Sequence, residues 1–289
     1  MKVLRAKSAG FCWGVERAIQ VAREQADGGA RTVYTDGPLI HNNQMMDALG
    51  KEGVQEVGDY RSQAEVKLEE EECEDAVVVV RAHGISPERR KYLKNLGMPF
   101  KDATCPDVGI IAGKVRMHAQ KGYDVVIFGD PNHPEVIGLM GYAGEKGHVV
   151  RNREDLEALP AFANGVVMVS QSTMFTHEFE ALSGLLATRH PELLVFDTIC
   201  GATKERQSDL RLLVEEGAEA IVVIGGRHSA NTRKLAKLAE SHGRATFHVE
   251  TAEDLNAEVL RKFQTVGVTA GASTPEFIID SVCKSLAVM

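Results

Sequence analysis

Short apolar runs recur along the chain, and each is closed by a tip of small and polar residues. The runs sit in TVYTDGPLIHNN, AVVVVRAHGIS, DVVIFGDPNHPEV, GVVMVSQST, AIVVIGGRHSANT and TVGVTAGAST, and their length and composition predict strands. Helical stretches lie between them. In the first, Val15, Ala18, Ile19, Ala22 and Ala26 return at helical spacing. Alternating strands and helices predict an α/β fold of parallel sheets joined by crossover helices. Ligand groups in such sheets gather beyond the carboxyl ends of the strands, where all of these polar tips fall.

The tips carry a threefold rhythm. Cys12, Cys105 and Cys200 stand 93 and 95 residues apart in a chain of 289. Each lies in a similar context (AKSAGFCWGVERAI, KDATCPDVGI, FDTICGATKERQ): an extended piece, a turn through small residues, then a helix. Pro106 suits the first position of its helix. All three thiols are therefore expected at helix N-termini, where the backbone dipole favours thiolate. A histidine follows each cysteine after 29, 28 and 28 residues, at His41, His133 and His228. A further strand then ends in a polar turn, at His83, at Ser172 and Thr173, and at Ser273 and Thr274. Three similar modules are expected, each with a small, mostly parallel sheet. Module 1 spans 1–100 (Cys12, His41, His83), module 2 spans 101–195 (Cys105, His133, Glu135, Ser172) and module 3 spans 196–289 (Cys200, Ser229, Asn231, Ser273). The N-terminal strand is free to pack with a neighbouring module. Set around a pseudo-threefold axis as a trefoil, they would turn three thiols and a polar ring into one central cavity.

Composition narrows the class. The chain is 44% hydrophobic and 26% charged, which suits a globular protein with a sizeable core. A net charge of -8 argues against a nucleic-acid partner. No apolar run approaches the ~18 residues of a membrane span, and MKVLRAKSAG lacks the apolar stretch of a signal peptide. Five cysteines is an odd number, and none are paired at CxxC spacing. Reduced thiols in a cytoplasm are expected, without a zinc ribbon, thioredoxin-type site or ferredoxin-type run. Cys73, inside EEEECED, has anions opposing thiolate formation, and the acidic run reads as a solvated face. Cys283 reads as packing in the last helix.

Three cysteines from distant segments leave two metal options open. One is a zinc site with a vacant fourth position. The other is an iron–sulfur cluster with one iron lacking a cysteine ligand, a corner that can bind substrate oxygen as a Lewis acid. Around them, His41, His83, Ser229, Asn231 and Ser273 suit phosphate oxygens, with Arg81 and Arg227 close in sequence. In HPE, Pro134 fixes the turn between His133 and Glu135. Glu135 is placed by motif to give a proton, and a water-poor cavity should raise its pKa. Ordinary roles compete for each group: a buried cysteine packs, a lone histidine sits on a surface, and Ser or Thr after a strand caps the next helix. A hydrolase or transferase with Cys12 or Cys200 as nucleophile paired to a histidine, a non-enzymatic iron–sulfur carrier or nucleotide-binding module, and a structural protein with incidental cysteines remain as alternatives.

The segments AGFCWGVERAI, GPLIHN, VVRAHGI, DATCP, HPEVIGLMG, VSQST, DTICGATKERQ, GGRHSANTRKL and VTAGAST, in this order, resemble the 4-hydroxy-3-methylbut-2-enyl diphosphate reductases, the IspH/LytB family, over essentially the whole chain. The resemblance implies a trefoil around an oxygen-sensitive [4Fe-4S] cluster held by Cys12, Cys105 and Cys200, with the substrate hydroxyl on its fourth iron. It implies removal of an allylic hydroxyl by two electrons and two protons, giving isopentenyl and dimethylallyl diphosphate in the last step of the methylerythritol phosphate route. His41, His83, His133, Ser172, Thr173, Ser229, Asn231 and Ser273 would bind substrate. Glu135, Ser172 and His133 would serve the chemistry, with Glu135 as proton source. A ferredoxin or flavodoxin would supply electrons, in the cytoplasm. Ser172 stands where the family usually has Thr. Ala230 replaces a hydroxyl-bearing Ser in the phosphate loop, where Arg227 and His228 add cationic donors. Trp13, beside a cluster ligand, would shield the cluster.

Overall fold

The computed structural model describes residues 1–29, 31–59, 65, 66, 68 and 73–289; most of the acidic run, residues 69–72, lies outside them. The first half of the chain runs β1 (Lys2–Arg5), α1 (Trp13–Ala26), β2 (Thr32–Asp36), α2 (Asn43–Lys51), β3 (Val54–Val57), β4 (Ala76–Val80), α3 (Pro87–Lys94), β5 (Phe100–Asp102), α4 (Pro106–Gln120), β6 (Asp124–Phe128) and α5 (Pro134–Ala143). The second half continues β7 (Gly147–Val150), α6 (Arg153–Glu157), β8 (Val166–Ser170), α7 (Thr176–Arg189), β9 (Leu194–Val195), α8 (Gly201–Glu215), β10 (Ala220–Ile224), α9 (Ala230–Ser241), β11 (Ala245–Val249), α10 (Ala257–Leu260), β12 (Thr265–Ala270) and α11 (Glu276–Ala287). Among the described residues no helix is long and apolar enough to cross a membrane.

The strands form three four-stranded parallel sheets, ordered β3-β2-β4-β5, β7-β6-β8-β9 and β11-β10-β12-β1. The order within each sheet is the same once β1 takes the place that β5 and β9 hold in the others. The strand before each cysteine is an edge strand: β5 lies on β4, β9 on β8, and the N-terminal β1 on β12 near the other end of the chain. Main-chain pairing decides this, and it leaves little trace in side-chain pattern.

The apolar runs have no polar alternation because both faces of each sheet are covered. In β6 and β8, Val126, Phe128, Val166 and Met168 pack on Phe179, Leu182 and Leu186 of α7. Their alternates Val125, Ile127, Val167 and Val169 pack on Ile111 and Val115 of α4 and on Val136 and Leu139 of α5. In α1 the residues Ala18, Ile19, Ala22 and Ala26 are buried as their spacing predicts, and Val15 is half-buried.

The chain divides into two compact units. One comprises Met1–Glu16, Ile40–Ala48 and Gly201–Met289; the other comprises Arg17–Leu39 and Leu49–Cys200. The first holds the β10–β12 sheet, with Ile221, Val223, Val268, Leu235, Ile279 and Val282 in its core. Cys283 packs at the edge of that core, and burial pushes its thiol up, away from the thiolate.

In the second unit a buried ion pair secures α3 against the end of β2. The Arg89 guanidinium gives Asp36 two hydrogen bonds, Nε to Oδ2 at 2.8 Å and Nη2 to Oδ1 at 2.7 Å. These bonds hold the guanidinium above its ordinary range. Gly58 (φ 73°) passes so close that a Cβ would stand 2.8 Å from Asp36 Oδ1. Ser86 caps α3 by accepting from Arg89 N at 3.2 Å, so the pair also holds the turn from His83 to Ser86. Asp36→Ala strands a buried guanidinium and is expected to cost about 3–5 kcal/mol. Urea unfolding monitored by circular dichroism checks this, and a loss within experimental error would show the pair to be incidental.

Candidate functional site

Each of the three repeated cysteines is held by the same backbone bond. Cys12 N donates to Ala272 O at 3.1 Å, Cys105 N to Ala82 O at 2.9 Å and Cys200 N to Ser172 O at 3.0 Å. The acceptors lie in the turns after β12, β4 and β8, which are the turns that carry Ser273, His83 and Ser172. Each cysteine then starts a helix. Cys105 is the N-cap residue of α4, with Pro106 next, and its carbonyl accepts from Gly109 N at 2.9 Å. Cys12 O accepts from Glu16 N at 3.0 Å in the same way, and α8 begins directly after Cys200. All three cysteines are half-buried and outside any disulfide. Soft thiol donors at positive helix ends are chemically suited to thiolate ligation of iron.

In the second unit a polar network surrounds Glu135. Its carboxylate is 1% exposed and accepts from Ser172 twice, from the backbone N at 2.7 Å on Oε1 and from Oγ at 2.6 Å on Oε2. His133 is the N-cap of α5, and its Nδ1 accepts from Glu135 N at 3.2 Å. That assigns the neutral ring proton to Nε2. The His83 ring packs edge-on against His133, centroids 5.5 Å apart, and His83 Nδ1 lies 3.3 Å from Arg81 Nη2. Thr173 Oγ1 accepts from Gln171 Nε2 at 2.9 Å, while Gln171 Oε1 accepts from Asp130 N at 3.0 Å. Gln171 thus ties the turn before HPE to the turn carrying Ser172. Hydrogen bonds and ring contact therefore connect Cys200, Ser172, Glu135, His133 and His83, and Cys105 joins through the Ala82 turn.

The first unit brings together the other tips. Ser273 Oγ donates to His41 O at 3.0 Å, and a Cβ at Gly226 would stand 3.2 Å from the same oxygen. Gly225 (φ 143°) and Gly271 lie against the side chains of Thr232 and Thr274, which leave no room for a Cβ in the turns after β10 and β12. Ser229 caps α9, accepting from Thr232 N at 3.3 Å. Asn231 sits in the first turn of α9; its Nδ2 is buried and has no acceptor among the described residues. Such an orphan donor is costly unless a ligand takes it up. Asn42 caps α2 beside His41 through Met45 N at 2.8 Å.

Arg227 and His228, read as cationic donors for an anion, are exposed. The Arg227 guanidinium reaches Asp254 at 3.5 Å, and Arg227 N donates to Glu250 Oε1 at 2.7 Å. Trp13 is 51% exposed.

Sequence reasoning missed Arg206, which is 2% exposed. Its guanidinium donates to Gly10 O at 2.6 Å, Ala202 O at 2.8 Å and Ala270 O at 3.3 Å. One side chain thus ties the approach to Cys12, the first turn of α8 and the strand end leading to Ser273. A signal was present: Thr203, Arg206, Leu210 and Leu213 form the buried face of α8, and a cation on such a face requires acceptors.

Residues 3–287 match the model of a family described as LytB protein. The chain is 62% identical to a 4-hydroxy-3-methylbut-2-enyl diphosphate reductase of Opitutus terrae over 99% of both chains. It is 40% identical to one of Aquifex aeolicus, over 97% of this chain and 94% of that one. Among solved structures, the E-1-hydroxy-2-methyl-but-2-enyl-4-diphosphate reductase of Plasmodium falciparum superposes with a TM-score of 0.89 at 26% identity, covering 98% of this chain and 87% of that one. A structure of (E)-4-hydroxy-3-methyl-but-2-enyl diphosphate reductase, described as the terminal enzyme of the non-mevalonate pathway, gives 0.69 at 37% identity over the whole of both chains.

Arg206→Met removes the bonds to Gly10, Ala202 and Ala270 and is expected to cost about 3 kcal/mol or more, since bonds from a charged donor contribute roughly 1.5–3 kcal/mol each. Arg206→Lys should recover part of it. Equilibrium urea unfolding of the two variants measures the difference, and equal stability of Met and wild type would remove Arg206 from its tying role.

Proposed function

The chain belongs to the LytB protein family, and we infer from that premise which of its residues carry the family's reaction. It is a 4-hydroxy-3-methylbut-2-enyl diphosphate reductase. It removes the allylic hydroxyl of its substrate with two electrons and two protons, giving isopentenyl and dimethylallyl diphosphate as the last step of the methylerythritol phosphate route.

The reading of the site rests chiefly on one observation, the buried Glu135 carboxylate joined twice to Ser172, whose own carbonyl holds Cys200. A hydroxyl departs readily only when protonated. When protonated, Glu135 carries that proton on Oε2; the 2.6 Å contact then runs from the carboxyl to Ser172 Oγ, which is left free to turn its own proton to the leaving oxygen and takes the carboxyl proton in exchange. The carbon–oxygen bond breaks and water leaves. A second proton completes the new carbon–hydrogen bond. The Ser172 backbone N on Oε1 fixes the carboxyl so that Oε2 stays on the hydroxyl side. Ser in place of Thr keeps this relay and loses only a methyl.

The diphosphate is assigned to His41, His83, His133, Thr173, Ser229, Asn231 and Ser273. Asn231 Nδ2 supports the assignment as a buried donor awaiting an acceptor. So does the siting of His41, His133 and Ser229 at or beside the starts of α2, α5 and α9, where helix dipoles favour anions. Ser229 Oγ is used as an acceptor by Thr232 N, which leaves its proton for a phosphate oxygen. Ser273 spends its proton on His41 O and must turn to reach a phosphate. Ala230 follows the capping serine, so its missing hydroxyl costs the helix no cap.

Cys12, Cys105 and Cys200 are assigned as ligands of a [4Fe-4S] cluster. The donor set fits, since three half-buried thiols at helix starts outside any disulfide suit soft iron. Such a cluster, when bound, supplies electrons singly to the reducing step. A ferredoxin or flavodoxin is the donor we assign, and the cytoplasm, which keeps thiols reduced, is the compartment. The division into modules 1–100, 101–195 and 196–289 is retained as the repeat unit, supported by the shared strand order of the three sheets.

Glu135→Gln is expected to keep the visible spectrum of anaerobically purified protein while kcat falls about 100-fold or more. Full turnover in that variant would remove Glu135 as the acid. Cys105→Ser is expected to lose the intact cluster. Iron and sulfide assays check it, and wild-type iron content would overturn the ligand assignment.

A further inference from the structure

A cavity of about 140 Å³ within the second unit has Glu135 among its lining residues. Glu135, Gly138 and Tyr142 of α5 form one wall and Gly109, Gly113 and Arg116 of α4 the other; it also reaches His83. Gly109, Gly113 and Arg116 are exposed, whereas Glu135 is almost wholly buried. The cavity therefore leads from the protein surface to the residue that must give up a proton in every turnover. Its volume accommodates several waters, and Arg90, Thr104 and Tyr142 line it, with Arg90 and Thr104 also bonded to Asp102.

The opening is kept clear by the sequence. Gly109 and Gly113 lie inside α4, where glycine costs helix stability relative to alanine. A Cβ at either would meet nothing within 4 Å, so no packing requirement calls for glycine there. The space is simply left open.

We propose that this cavity is the inlet through which Glu135 is reprotonated. The inference rests on Glu135 being the acid. Each turnover consumes two protons and two electrons: the allylic alcohol becomes an alkene and water, with the electrons coming from the one-electron donor protein. Glu135 gives up one of these protons through Ser172 and is left as carboxylate. Bound substrate excludes water from the reacting side. The carboxylate takes its next proton from hydronium or water standing in the cavity, which refills from solvent.

The test fills the cavity without touching the catalytic groups. In the holoenzyme, Gly113→Leu and the double variant Gly109→Leu/Gly113→Leu place side chains in the opening. Gly184→Leu, an exposed helix glycine whose Cβ also meets nothing, is the control. Iron content, visible spectrum and KM should stay at wild-type values. In the double variant kcat should fall about tenfold or more, and the D2O effect on kcat should rise, because proton delivery becomes limiting. The milder Gly113→Ala, which improves helix propensity, should give a smaller effect in the same direction, and it is the variant read if the leucines disturb the cluster. Wild-type kcat and D2O effect in the filled variants would overturn the inlet. If that result accompanies an inactive Glu135→Gln, the acid assignment stands and only the route fails. An active Glu135→Gln would strike the acid assignment itself.

Discussion

The structure depends on one backbone hydrogen bond used three times, from the amide of a cysteine to a carbonyl in the turn after a central strand. The edge strands that deliver the cysteines are short: four residues in β1, three in β5 and two in β9. Ladder bonds over so few residues hold a strand weakly at its end. The added bond locks the last residue of each approach to the turn that carries a polar site residue. A thiol and its neighbouring hydroxyl or imidazole are thereby positioned by the same few atoms, and a shift in one is passed to the other.

Around these anchors, most polar site residues serve twice. His133 and Ser229 cap helices through side-chain acceptors, and the first turns they satisfy would otherwise present bare N–H groups. The capping interaction consumes an acceptor and leaves a donor, which is what an anionic ligand needs. Glu135 is the exception, since both of its oxygens are engaged by Ser172. Its position in the fold therefore makes proton supply a matter of access as much as acidity. Buried guanidiniums complete the frame. Arg89 meets a carboxylate and Arg206 meets carbonyls, and each adds a polar tie to a loop.

Much of this was legible beforehand for identifiable reasons. The strands of the β6–β8 sheet are apolar at every position because helices cover both faces, and such runs are hard to mistake. The cysteines at near-equal thirds and the histidines at constant offsets expose a repeat that survives divergence, since each module solves the same packing problem. Arg206 was overlooked because its three acceptors are carbonyls, which every residue possesses and no pattern marks.

The sequence by itself determined the alternation of strands and helices, the placement of polar tips at strand ends, and the residue types able to bind metal and phosphate. These follow from local propensity and periodicity, which act over a few neighbouring residues. Only tertiary structure decided that β1 pairs with β12 from the other end of the chain, that Ser172 clamps Glu135, and that Glu135 also lines an open cavity. Those outcomes turn on backbone hydrogen bonds and steric fit between segments tens to hundreds of residues apart. A linear pattern of side chains carries no record of such distances.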